Sequence, residues 1–209
     1  MDLVTTAFPD RGVIPADFAF GAIDPATHVK LSGNRNPDFA WRGLPPGTRS
    51  LALLCDDPDV PSRGDDVNKE GRVVPASLPR VAFFHWVLVD LPADAAPIAR
   101  REFSDGVTAR GKPGPHAPRD ARQGINNYTD WFAGDKDMGG NYFGYDGPCP
   151  PWNDELPHRY VFTLYALDVP RLDVSGVFTG ADAKTAMTGH IVGQTSVTGR
   201  YTLNPSVKL

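Results

Sequence analysis

The chain has 209 residues, with 21 Lys and Arg against 25 Asp and Glu, giving a formal net charge of −4. That balance excludes a generic polyanion binder such as a nucleic-acid-coating protein, and 41% hydrophobic with 22% charged residues excludes a disordered chain. A single domain of this length buries roughly 70% of its unfolded surface, enough for a core without disulfide staples. Glycine and proline, 21 of each, suit short strands joined by turns and disfavour a helical bundle.

Taken along the chain, the apolar runs predict strands. Short ones lie at Leu3–Thr6 and Asp38–Trp41. Longer runs rich in β-branched and aromatic residues follow at Ser50–Cys55, Val81–Leu91, Arg159–Leu167 and Ser196–Leu203, each bounded by Pro, Gly or Asp. The two middle runs are apolar on both faces, as expected of central strands covered on each side. Between them, Ala99–Arg122 carries six basic residues (Arg100, Arg101, Arg110, Lys112, Arg119, Arg122) against three acidic ones, and reads as a mobile surface loop. After Thr179, Ala183, Ala186, Met187, His190 and Ile191 recur at helical spacing, and Gly193 supplies a stop.

Targeting and cofactor signals narrow the field. The first residues lack a basic stretch followed by an apolar one, and the longest apolar run, Val81–Val89, is far short of the ~20 residues that span a bilayer. A cytoplasmic protein without a transmembrane segment is the expectation. Only Cys55 and Cys149 are present, and both thiols are expected to be free. The motifs of dinucleotide, nucleoside-triphosphate, zinc-protease and esterase chemistry are missing, so no cofactor and no resident metal are called for.

The informative feature is polarity inside apolar strands. One buried run leads straight into Asp57-Pro-Asp59-Val-Pro61; His85 sits in the middle of a core strand; and Gly147-Pro-Cys-Pro-Pro151 leads to His158-Arg159-Tyr160. Residues i and i+2 share a strand face, so Asp57 goes with Asp59, and His158 with Tyr160, while Arg159 turns away. Carboxylates, imidazoles and a phenol at neighbouring strand ends would converge on one cavity. Two histidines and a carboxylate can also hold a metal, but a separation of 73 residues between His85 and His158 carries no motif information.

These residues resemble the phosphatidylethanolamine-binding protein family, also called the Raf kinase inhibitor protein family, and most of all its bacterial branch. The D-P-D-x-P stretch, Phe84-His85-Trp86 and the G-P-x-P-P loop before His158-Arg159-Tyr160 carry the likeness. Asn34-Arg-Asn-Pro37, Gly47-Thr-Arg-Ser50 and Met187-Thr-Gly-His190 support it. The resemblance implies an antiparallel β-sandwich, a peripheral C-terminal helix and a small anion pocket at one end. The matching positions are Asp57, Pro61, His85, Gly147, His158 and Tyr160.

The expected function is binding of a small anionic ligand, a phosphate or phosphomonoester head group. Two alternatives stand beside it: a regulator that inhibits a kinase or peptidase partner, and an enzyme using Asp57, His85 and His158 for acid–base chemistry. Carboxylates repel phosphate, so both histidines are expected to be protonated, with backbone N–H groups near Gly147 as further donors. Arg159 is expected to pair with Asp59 and lock the D-P-D turn. The stretch from residue 99 to 145 is longer than the resemblance leads one to expect, and its Trp131, Phe132, Tyr142 and Tyr145 form a candidate pocket rim.

Overall fold

Alternation along four long strands determines the architecture. The computed structural model describes residues 1–209 and contains β1 (Asp2–Val4), β2 (Gly21–Asp24), β3 (His28–Leu31), β4 (Ala40–Arg42), β5 (Ser50–Pro61), β6 (Arg80–Pro92), β7 (Arg122–Gln123), β8 (His158–Leu167) and β9 (Ile191–Tyr201). Two short helices are α1 (Tyr128–Trp131) and α2 (Gly180–Ala186). The central antiparallel sheet runs β7-β6-β5-β8-β9, and β1–β4 and β2–β3 form separate two-stranded ribbons.

Alternate residues of β5 face two different cores. Leu51, Leu53 and Cys55 join Trp86, Phe162 and Leu164 in the larger core, which β1, β4 and the N-terminal loops cover through Leu3, Ile14 and Phe39. Ala52 and Leu54 join Val87 and Val89 against Phe178, Ala183 and Met187 around α2. A strand apolar on both faces is therefore apolar because both faces are covered. Each fully buried large side chain contributes roughly 1.5–3 kcal/mol relative to exposure. The result is the expected mainly β, antiparallel sandwich with a peripheral C-terminal helix.

Three local expectations are corrected. First, the D-P-D stretch is not a turn after the strand: β5 continues through Asp57 and Asp59 to Pro61. Second, the late helix is shorter than its periodicity. A reciprocal Thr179–Asp182 capping box starts it, but it ends at Ala186, Gly189 takes a positive φ of 83°, and Ile191 opens β9 opposite Leu167. Third, residues 99–122 are tied to the core and do not form a peripheral loop. Phe103 and Ala121 are core residues, and Asn36 Oδ1 accepts the N–H groups of Phe103 and Ser104. Arg122 in β7 forms a buried pair with Asp90. Its neighbours are occupied as well: Arg100 pairs with Asp38, Arg101 with Asp105, Arg119 with Glu102, and Lys112 with Asp146. Arg110 donates to the Lys136 carbonyl. The basic stretch of the sequence is consequently not a free basic surface.

Candidate functional site

At one end of the central sheet, the larger core stops and a cavity of about 640 Å³ opens. Strand alternation brings its polar floor together. Asp57 continues the face of Leu51, Leu53 and Cys55, and His158 and Tyr160 continue the face of Phe162 and Leu164.

Simple alternation would send His85 to the α2 side, with Val87 and Val89. A bulge prevents it. The β5–β6 register slips between Cys55↔Trp86 and Asp56↔Phe84, leaving His85 as the extra residue. Phe84 packs toward the α2 core, whereas the His85 ring lies 5.0 Å from that of Tyr160. A second slip, between Asp57 and Val60, parts the two aspartates that alternation would place together. Asp57 Oδ2 lies 2.7 Å from His158 Nδ1, while Asp59 turns to the half-exposed Arg159 and takes two guanidinium hydrogen bonds at 2.7 and 2.8 Å. The Arg159–Asp59 pair is thus formed, and Asp57 Oδ1 additionally accepts the Asp59 N–H at 2.8 Å.

His158 is fully buried between two carboxylates. Its Nε2 lies 3.1 Å from Asp154 Oδ2, and Asp154 is itself gripped by Arg80 at 2.5 and 3.0 Å. Burial alone would push the His158 pKa down, but Asp57 and Asp154 overcome it and raise the pKa to about 9. The expectation of an imidazolium therefore holds in direction for His158. It fails for His85, which burial pushes below the ordinary histidine value against the pull of Asp57. His85 Nδ1 lies 2.8 Å from the Asp146 carbonyl oxygen, which can only accept, so Nδ1 carries the proton and Nε2 holds the lone pair. The Asp146 N–H returns a bond to the His85 carbonyl at 3.0 Å. Asn34, Asn126 and Lys112 all donate to the buried Asp146 carboxylate at 2.7–2.8 Å. The Tyr160 hydroxyl, also fully buried, has no hydrogen-bond partner, and burial holds it well above the ordinary tyrosine range.

The remaining sequence candidates separate into wall and support. Pro61 lines the cavity, together with Phe20, Phe83 and Tyr128. Trp131 and Phe132, two of the four candidate rim aromatics, are among the lining residues. Tyr142 and Tyr145 are not. Tyr142 is buried behind Phe132 with its hydroxyl on the Met138 carbonyl, and Tyr145 belongs to the larger core with its hydroxyl on the Phe18 carbonyl at 2.6 Å. Gly147 lies outside the cavity. Its N–H donates to Asn34 Oδ1 at 2.8 Å, its carbonyl accepts from Tyr128, and a Cβ there would sit 2.0 Å from the Phe18 carbonyl oxygen. Glycine is needed there for that close approach, and its N–H is already engaged by Asn34. Cys149 is a free thiol on the wall, pushed up to about 12 by burial, and Cys55 is a free thiol in the core.

Sequence reasoning missed Asp154, Arg80 and Asp146. Asp154 precedes His158 by one helical-turn spacing, but it sits in a Pro-rich loop where a carboxylate is unremarkable in the pattern. Arg80 stands directly before the apolar run Val81–Leu91, and that position was its one available signal.

Comparison with known proteins tests the fold and the family. The chain is 31% identical over 201 residues to the UPF0098 protein of Methanothermobacter thermautotrophicus, covering 96% of this chain and 98% of that one. It is 30% identical over 168 residues to the UPF0098 protein YbhB of Escherichia coli, covering 80% and 82%. The solved structure of Escherichia coli YbcL, described as a member of the mammalian PEBP family, superposes with a TM-score of 0.67 at 21% identity, over 96% of this chain and 97% of YbcL. A putative phosphatidylethanolamine-binding protein homologue of Chlamydia trachomatis superposes at 0.63 with 25% identity, over 95% of each chain. The sequence profile described as phosphatidylethanolamine-binding protein matches residues 4–202, the span that also holds both histidines and the carboxylates around them, and on that match the chain belongs to the phosphatidylethanolamine-binding protein family.

Proposed function

We propose that the protein binds a small phosphorylated ligand, with the head group against Tyr160 and His85 and an apolar body along the aromatic wall. The observation that supports this most is the unpartnered, buried hydroxyl of Tyr160, a cavity-lining residue whose ring lies 5.0 Å from that of His85. A buried polar group left unsatisfied costs about 1–3 kcal/mol, and a phosphoryl oxygen accepting from Tyr160 removes that cost. The wall around this floor is mostly apolar, the usual character of a small-molecule site, and the lining also holds two cations, Lys30 and Arg63, with two carboxylates, Asp57 and Asp130.

Recognition of a phosphomonoester here is coupled to one proton. The dianion would face an unprotonated Nε2, lone pair against lone pair. The complex is favourable when one proton sits between them, carried by either His85 or the phosphate. His85 is pushed below its ordinary value and a phosphomonoester loses its second proton near pH ~6, so above neutrality both free partners lack that proton. Apparent affinity therefore falls about tenfold for each unit of pH above ~7. Calorimetry with phosphoethanolamine at pH 7.5, in two buffers of different ionisation enthalpy, is expected to show uptake of about one proton per ligand. Binding without proton uptake, or unchanged in a His85→Gln protein, overturns the reading.

A further inference from the structure

We infer that Asp154, held by Arg80, is a positioning residue that keeps His158 turned away from the ligand and leaves recognition of the head group to His85 and Tyr160; this rests on the ligand-binding reading of the cavity. An imidazolium has two N–H donors. In His158 both face carboxylates, Nδ1 on Asp57 at 2.7 Å and Nε2 on Asp154 at 3.1 Å. No donor remains for a third partner.

The arrangement is built, not incidental. Asp154 is almost completely buried and takes both terminal nitrogens of Arg80 at 2.5 and 3.0 Å, and its Oδ1 also accepts the Leu156 N–H at 2.9 Å. Arg80 is fixed in turn by the carbonyls of Asp59 and Pro75 at 2.9 and 3.0 Å. Asp57, His158, Asp154 and Arg80 thus alternate in sign and sum to zero charge, so this row offers an incoming anion no net attraction. The other charged or titratable groups near His158 include His85 from β6, Tyr160 from β8, and Asp59, which Arg159 neutralises; His85 is faced by Asp57 from β5, His158 and Tyr160 from β8, Tyr128 from α1, and Asp146. The consequence is selectivity: head-group binding follows the protonation of His85, not that of His158.

Nitrogen-15 NMR of the wild-type histidines at pH 7.5 tests the positioning directly. Both ring nitrogens of His158 are expected to be protonated, and an unprotonated Nε2 overturns the inference. Two variants then change the outer contact: the first removes its negative charge but keeps an oxygen that can accept from Nε2, and the second removes the acceptor and frees the Nε2 donor. Asp154→Asn removes one negative charge and keeps the shape. The double variant Arg80→Met with Asp154→Leu removes the outer pair without leaving a charge unmatched, which guards against misfolding. Inorganic phosphate is expected to bind either folded variant roughly tenfold more tightly than wild type, with reduced dependence on His85. Equal phosphate affinity in wild type and both variants overturns the inference while leaving the ligand-binding reading intact. Phosphate binding gained only in the variants supports the inference, and it is then the phosphate reading of the wild type that fails.

Discussion

Buried ionic clusters lie at opposite ends of β6, and the one at the N-terminal end supplies Asp57 and His158 to the lining of the cavity of about 640 Å³. At the C-terminal end, Arg122 pairs with Asp90, its remaining donors reach the Leu172 and Val174 carbonyls, and Asp90 also accepts the Leu172 N–H at 2.8 Å. Both members of the pair are met by protein groups. At the N-terminal end, Asp57, His158 and Asp154 are buried and paired, and the partly buried Arg80 pairs with Asp154 while its Nε has no partner; beside them, at the cavity, Tyr160 keeps a bare hydroxyl and His85 a bare lone pair. Buried charge by itself therefore does not mark a binding site. Hydrogen-bonding capacity left over beside an open volume does.

Breaking the Arg122–Asp90 pair has the largest expected effect. Arg122→Met strands Asp90 in the interior and is predicted to destabilise the fold by about 3–5 kcal/mol in urea unfolding, while ligand affinity of the folded fraction stays unchanged. A loss below ~1 kcal/mol would show that this pair is not a structural anchor.

The His158 cluster is predicted to make stability depend on pH. The folded pKa of about 9 lies above the ordinary value of 6.5. Its contribution is fully present below pH ~6.5 and is lost as pH rises through about 9, on the order of 3 kcal/mol in all. Urea midpoints measured from pH 6 to pH 9.5 should fall accordingly, and the slope should vanish in His158→Gln.

Hydroxyl deletion sharpens the contrast at smaller scale. Tyr145→Phe removes a bond to the Phe18 carbonyl and is expected to cost about 1–2 kcal/mol of stability without touching ligand binding. Trp131, 52% exposed on the cavity wall, should matter least to folding. Trp131→Ala is predicted to change stability by less than ~1 kcal/mol, yet to weaken a phosphomonoester with a bulky apolar body more than inorganic phosphate.

The sandwich was legible because its long strands are apolar runs with clear ends, and the D-P-D, core-histidine and H-R-Y stretches carried the family. The site was legible as a list of residues more than as a geometry. His85 reaches the floor through a bulge, and bulges leave no mark in the apolar pattern of Phe83–Val89. The same physics parted Asp57 from Asp59. Charge states depended on neighbours distant in sequence: Asp146 meets Asn34 across 112 residues, and Arg80 meets Asp154 across 74. Residues 99–122 look like a loop by composition, but their arginines and Phe103 find partners that only the folded chain supplies. Tyr142 and Tyr145 likewise could not be distinguished from Trp131 by residue type alone.

Tyr160→Phe is the most direct test of the account. Because the hydroxyl has no partner in the free protein, its removal should leave the unfolding midpoint unchanged or slightly raised, while phosphoethanolamine affinity measured by calorimetry drops about tenfold. A protein that loses stability but keeps its affinity would mean that the hydroxyl serves the fold, and the proposed ligand site would be contradicted.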